Sequence, residues 1–382
     1  MRTGVATVPL DYGKCPPWLF KRMKELARAV TVAIVEEFGP EEYLRRISDP
    51  IWFQSLGCVL GFDWNSSGLA TTTLGALKEG VRGLESGLGI FICGGKGKTS
   101  KKTPGQIEEW GRFLGLPIDK IDKLVYASKI TAKVDSSLIQ DGFQLYHHDL
   151  IFTKSGDWTV VQQGMNEDFG KARRYHWLSS VVSDRKDFIE EPHSGIICDA
   201  RGRPLNLTAK KSDKNRRIST GLAVEEPKTF LKDIRLISEK SDSLIRQRRF
   251  PGFSEMELNN VEFHWHPVAN EKFDLNRLKK TIFSAKEQNP RNFEELLSLK
   301  GVGPRTIRAL SLVSELIYGA KPSYEDPARY TFAHGGKDGT PFPVEKDVYD
   351  KTLEIMEKGI KKSKISISEK QGALKRLEKK IG

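Results

Sequence analysis

Apolar residues recur at helical spacing along most of this chain and read as strands in only a few places. Leu19, Met23, Leu26, Val30, Ile34 and Phe38 share one helical face after Pro16-Pro17, and Gly39-Pro40 ends that helix. A shorter helix precedes Pro50, and Ile51 to Gly61 is apolar enough to be buried. A further helix carries Leu74, Leu77, Val81 and Leu84, after the polar run Asp63, Asn65, Ser66 and Ser67. Thr103, Pro104 and Gln106 read as a capping box that opens another. Residues 227–249, 273–286 and 344–360 also carry the helical period. The strand signals are Gly87 to Cys93, then Phe143–Thr153 and Trp158–Gln163 joined by a turn at Lys154–Asp157. Residues 192–206 can form a strand, a turn and a strand.

Alternation along the longest strand puts Leu145, His147, Asp149 and Ile151 on one face. Gln144, Tyr146, His148, Leu150 and Phe152 take the other, so each face carries one histidine. Gln162 and Gln163 divide in the same way. Asp135 and Asp141 precede this strand, and Arg173, Arg174, Tyr175 and His176 follow the next one. Carboxylates, imidazoles and amides around one hairpin suit a divalent cation and an activated water, the chemistry of phosphodiester hydrolysis. The expected catalytic residues are Asp141, His147, His148, Gln162 and Gln163. The expected ligands of a Mg or Mn ion are Asp135, Asp141 and His148. An acidic residue or glutamine followed two places later by lysine, a familiar nuclease signature, is missing, because Gln162 is followed by Gly164.

The densest pattern lies later, at Asn292 to Gly319. Asn292 and Glu295 form a capping box before Leu296, Leu297 and Leu299. The chain then turns through Lys300-Gly301-Val302-Gly303, and Pro304 starts a helix with Ile307, Leu310, Val313 and Ile317 inside. Two glycines at a helix start leave amide N–H groups open to an anion, with Lys300 and Arg305 beside them. Lys300, Gly301, Val302, Gly303, Arg305 and Thr306 are therefore the expected DNA-backbone contacts, joined by Lys96 and Lys98. Such contacts carry no sequence information.

Composition sharpens this. The 382 residues carry a net charge of +12, which suits a polyanion such as DNA. Nine Lys/Arg against three Glu lie from Glu357 to Gly382, so the tail is strongly basic. The four cysteines are scattered, with no CxxC pair, which argues against a zinc ribbon and a disulfide framework. No apolar run is long enough for a membrane, and a cytoplasmic protein is expected. The glycine loop Gly94-Gly95-Lys96-Gly97-Lys98-Thr99 ends like a P-loop, but a glycine is needed where Ile92 stands, so nucleotide hydrolysis is not expected. His264 and His266 could pair on a strand, with packing the better reading. The sequence leaves room for a homodimer.

The blocks GFDWNSSG, GGKGKTSKKTP, DGFQLYHH, VVQQGMN, ARRYHWLS and AHGGKDGTPFPV resemble the domain-of-unknown-function family numbered seven-six-three, found largely in archaea and thermophilic bacteria. The resemblance covers nearly the whole chain. It implies an N-terminal domain of its own kind fused to a helix-hairpin-helix module, and supplies no activity. The hairpin also resembles that of base-excision DNA glycosylases, in whose lyase members GVGxKT places a lysine where this chain has Arg305. Arginine stays protonated and cannot form the Schiff base. The aspartate such an enzyme needs has two candidates, Asp326 and Asp347.

The expected architecture is an α+β N-terminal domain with a small antiparallel sheet, residues 1–250, and an all-α helix-hairpin-helix domain with a basic tail, residues 251–382. The expected function is DNA binding with metal-dependent cleavage in repair or processing. The alternatives are a monofunctional glycosylase and a non-catalytic repair scaffold.

Overall fold

A computed structural model describes residues 15–62, 66–185, 187–198, 202–224, 226–249, 273–328, 354, 356–361 and 366–379. The chain is mainly helical, as the periodicities require, with one five-stranded antiparallel sheet and one two-stranded sheet. Its contacts divide into two units. The first groups Met1–Ser136, Asp141–Pro204 and Glu325–Gly382; the second groups Ser137–Gln140 and Leu205–Tyr324. The boundary expected at 250/251 thus falls inside the second unit, and the basic tail groups with the first.

The first unit opens with α1 (Pro17–Phe38), α2 (Pro40–Ser48), α3 (Pro50–Val59), α4 (Gly68–Val81) and the single turn α5 (Glu85–Leu88). Met23, Leu26, Val30 and Ile34 are buried as the helical face demands, while Phe38 at its end is exposed. Asp49 caps α3 by accepting from the amides of Ile51 and Trp52. α6 (Thr103–Phe113) and α7 (Ile118–Ser137) follow, then α8 (Ser179–Arg185). The expected capping box at Thr103 does not form. Gln106 instead turns its Oε1 to the amide of Gly94 at 2.8 Å and the ammonium of Lys78 at 3.0 Å.

Five strands make the sheet: β1 (Ile90–Lys96), then, after the two-residue β2 (Ile139–Gln140) of the second unit, β3 (Gln144–Thr153), β4 (Trp158–Asn166), β5 (Lys171–Leu178) and β6 (His193–Ile197). Their order is β1-β3-β4-β5-β6, antiparallel throughout. The strands expected at Gly87 to Cys93, Phe143–Thr153 and Trp158–Gln163 are β1, β3 and β4, and β5 was unforeseen. Bonds from α7 reach one face, and bonds from α2 to α4 reach the other. Ile90, Ile92, Ile151 and Val161 join this second face to the main core with Trp52, Phe53 and Leu74, and Met356, Ile360 and Ala373 complete that core.

The second unit holds β2 paired with β7 (Leu205–Asn206), and α9 (Asp213–Val224), α10 (Pro227–Arg249), α11 (Leu275–Gln288), α12 (Phe293–Ser298) and α13 (Pro304–Leu316). α14 (Ile367–Lys379), in the first unit, is the last helix among the described residues. Residues 192–206 do hold two strand segments, but β6 and β7 belong to different sheets.

Candidate functional site

The chemistry collects on β3, β4 and β5, where three like-with-like doublets stand in the sequence. The ladder pairs His147 with Gln163 and Gln163 with Arg174, and it pairs His148 with Gln162. Because neighbours on a strand face opposite ways, each face receives one histidine, one glutamine and one arginine. A register shift between Leu145 and His147 interrupts the simple alternation.

The face under α7 is a closed network. His148 Nδ1 donates to Gln162 Oε1 at 2.8 Å, since a carbonyl oxygen can only accept. Nε2 lies 2.9 Å from the Ser128 hydroxyl, which can donate to it when the ring is neutral. Burial pushes the His148 pKa down in agreement. The Gln162 amide donates to Thr131 O at 3.1 Å and to Asp135, which also accepts from Trp177 Nε1 at 3.0 Å and His193 Nε2 at 2.5 Å. Arg173 on this face bonds Asp141 at 2.6 Å and Asp326 at 2.8 Å. Burial pulls its pKa down, but Asp141, Tyr175 and Asp326 outweigh burial and hold the guanidinium charged. Asp141 also accepts from the Phe143 amide and the Tyr175 hydroxyl, and Asp326 from the amides of Gly202 and Ala328.

This arrangement corrects the expected metal site. Asp135, Asp141 and His148 do not share a centre: Asp135 serves Gln162, Trp177 and His193, Asp141 serves Arg173, and His148 serves Ser128 and Gln162. Among the described residues no three His, Cys, Asp or Glu side chains stand as a metal ion would need. Ser128–His148–Gln162 has the bonding order of a nucleophile, a base and an orienting group, yet Ser128 and His148 are both buried.

The opposite face is built differently. In cross-strand register it carries the row Lys96, His147, Gln163 and Arg174. Arg174 is 2% exposed. Its Nε donates to His176 Nε2 at 2.8 Å and its Nη2 to Gln54 Oε1 at 2.7 Å, and its guanidinium lies 4.8 Å from the Phe53 ring centre. Both hydrogen-bond partners are neutral. His176 accepts from Arg174 and so donates its Nδ1 proton to Ile47 O. No carboxylate pairs with Arg174 among the described residues. Burial accordingly lowers its pKa to about 9.

Gln163 donates to Ser67 O at 2.8 Å and to the Tyr146 hydroxyl, but its buried Oε1 has no partner. His147 Nε2 lies 2.6 Å from Asp149 Oδ2, both side chains being 2% exposed, but without hydrogen-bond geometry, and its Nδ1 has no partner. Lys96 is exposed, with its ammonium 5.7 Å from the Tyr146 ring centre. Gly94 lets β1 come this close. At φ +122° it occupies backbone that favours glycine, and a Cβ there would meet His148 O at 2.1 Å. Lys98 lies exposed just beyond, in the 3₁₀ turn Gly97–Lys102.

In the second unit a glycine turn joins α12 and α13 where expected, but the Glu295 carboxylate bonds Arg291 and leaves the capping box half made, and Ile317 lies exposed past the end of α13. Asn292 caps α12 on the Glu295 amide at 2.8 Å. Gly301 has φ +91°, Gly303 is extended, and Pro304 begins α13. Lys300, Gly301 and Arg305 are exposed, whereas the side chains of Val302 and Thr306 are buried and hold the turn from within. Gln140, which the sequence did not single out, donates to Pro304 O at 2.8 Å and accepts from Arg308 at 3.3 Å.

His147, Gln163 and Lys96 are thus brought together, while Asp141, His148 and Gln162 are built into the closed face. Arg174, Tyr146, Asp149 and Gln54 complete the open row. The adjacent doublets were the available signal, and only strand register turns them into a row. Asp63, Asn65, His264, His266 and Asp347 lie outside the described residues.

Residues 4–344 match the family described as "Protein of unknown function (DUF763)", and the chain belongs to that family. No curated protein and no solved structure matches it. Among the described residues no helix is long and apolar enough to cross a membrane.

Proposed function

We propose that this protein binds duplex DNA by its phosphate backbone, through a helix-hairpin-helix at the turn between α12 and α13. The observation that carries this reading is the turn itself. Gly301 and Gly303 present backbone without side chains, the first amides of α13 follow, and exposed Lys300 and Arg305 flank them. The net charge of +12 supports a polyanionic partner. Fluorescence anisotropy with a labelled duplex tests it at several salt concentrations. Wild type binds with an affinity that falls steeply with salt; Gly303→Val weakens binding about tenfold, and Lys300→Ala with Arg305→Ala flattens the salt slope. Unchanged affinity in Gly303→Val would sink the reading.

A second reading is phosphodiester cleavage at the sheet. What favours it is the open row, where His147 Nδ1 and Gln163 Oε1 are buried without partners and Asp149 backs His147. A Mg or Mn ion there would have Asp149 as its carboxylate ligand and would draw its remaining oxygens from water and the DNA phosphate. Nicking of supercoiled plasmid with either ion, lost in Asp149→Asn, is the expected result; no nicking by wild type refutes it. Base excision has less support, since Asp326 is taken up by Arg173 and two amides.

A further inference from the structure

We infer that the row Lys96–His147–Gln163–Arg174 is a binding site for a phosphoryl group. The inference concerns the first unit alone and does not depend on the hairpin. It starts from a charge that the fold leaves unanswered. A buried guanidinium is ordinarily matched by a carboxylate, because taking a cation out of water costs several kcal/mol that an anion must offset. Arg173 obeys this with two carboxylates. Arg174, one residue on and equally buried, is held by an amide oxygen, an imidazole nitrogen and a ring face.

The geometry around Arg174 favours an anion. The Tyr146 hydroxyl accepts from Gln163, the cross-strand neighbour of Arg174. Gln163 pairs across the ladder with both Arg174 and His147, and His147 with Lys96. Two cations therefore end one row of four residues, with Lys96 at the solvent side and Arg174 at the buried side. The buried Nδ1 of His147 lies between them without a partner. Asp149 Oδ2 lies 2.6 Å from His147 Nε2, on the side of the ring away from Nδ1.

A phosphoryl group fits this better than a carboxylate. It offers three or four oxygens to donors that approach from both ends of the row, and arginine takes two of them at once. The group can be the terminal phosphate monoester of a nucleic acid strand or an internal phosphodiester. The chemistry is shared, and the source is read from the experiment.

The test uses the full chain and inorganic phosphate, with chloride at equal ionic strength as control, in thermal melts and isothermal titration calorimetry. Phosphate is expected to raise the wild-type Tm, and chloride is not. Lys96→Ala, at an exposed position, keeps the fold and weakens phosphate about tenfold, the order expected for a lost charge-assisted contact. Gln54→Glu is the decisive variant. It puts a carboxylate where Arg174 Nη2 already donates, so Tm without phosphate rises and the phosphate-dependent increment disappears. Gly303→Val keeps the full increment, which separates this site from the hairpin. A wild-type Tm indifferent to phosphate, or an increment that survives Gln54→Glu, overturns the proposal. Titration with a single-stranded oligonucleotide, 5′-phosphorylated or 5′-hydroxyl, then identifies the source. A preference for the phosphorylated strand that Lys96→Ala removes assigns a terminal monoester; equal binding of both that Lys96→Ala weakens assigns an internal diester; binding of both that Lys96→Ala leaves unchanged overturns the assignment to nucleic acid.

Discussion

The two faces of the sheet carry the same three side-chain types and use them for different ends. Under α7, His148 and Gln162 join Ser128 and Asp135 in one hydrogen-bonded network, and the buried guanidinium of Arg173 faces the carboxylates of Asp141 and Asp326. Toward α2 and α3, His147, Gln163 and Arg174 sit equally deep, yet Arg174 has only neutral partners and three buried polar atoms of His147 and Gln163 have no hydrogen bond. Burial alone does not distinguish the two faces. The charge on the arginine's partners does. A closed network gives specificity to the packing, and an unbalanced one leaves room for a ligand.

The largest effect expected from this contrast lies in the adjacent arginines. Arg173→Met strands the carboxylates of Asp141 and Asp326 in the interior and should cost about 3–5 kcal/mol. Arg174→Met removes a charge that has no carboxylate. The desolvation it relieves offsets the acceptors left on Gln54 and His176, so stability should stay within about 1 kcal/mol of wild type. Urea denaturation of the two variants measures both. Equal losses would show that Arg174 is as fully compensated as its neighbour and would erase the distinction between the faces.

Asp135 is the next test, because one carboxylate organises the closed face. It accepts from Gln162, Trp177 and His193. Asp135→Asn turns one acceptor into a donor aimed at a donor and should cost about 2–3 kcal/mol. It should leave the response to phosphate unchanged, since the open row uses none of these groups. Loss of that response in a folded Asp135→Asn protein would mean that the two faces act as one site.

Much of this was legible in local sequence. The α12–α13 turn was, because capping residues, glycines and Pro304 act within a few positions of each other. The strands β3 and β4 were, through alternation. β5 was not, because Ala172, Arg173, Arg174 and Tyr175 are buried on both faces and show no polar alternation. The difference between the faces was out of reach for another reason. Asp326 meets Arg173 across 153 sequence positions, and Gln54 meets Arg174 across 120. No spacing rule spans such intervals. Gln106 failed as a cap for a related reason: the amide of Gly94, twelve residues upstream, competes for its oxygen and wins.

The smallest effect concerns acid, and it marks where the contrast should stop. His148 on the closed face and His176 on the open one are both held neutral by burial, with pKa values below the ordinary 6.5 or so. Below about pH 6.5 the unfolded chain binds protons at these histidines that the folded chain refuses. Stability is therefore fullest above that pH and falls as pH falls, by up to about 1.4 kcal/mol per pH unit for each group. His148→Gln removes one of these protons and keeps a side chain able to bond Ser128 and Gln162, so the acid limb should lose about half its histidine-driven slope. Denaturation at stepped pH between about 5 and 7 measures this against wild type. An unchanged slope would mean that His148 takes up its proton in the folded state, and a charged His148 would make the closed face one more place where a cation waits for an anion.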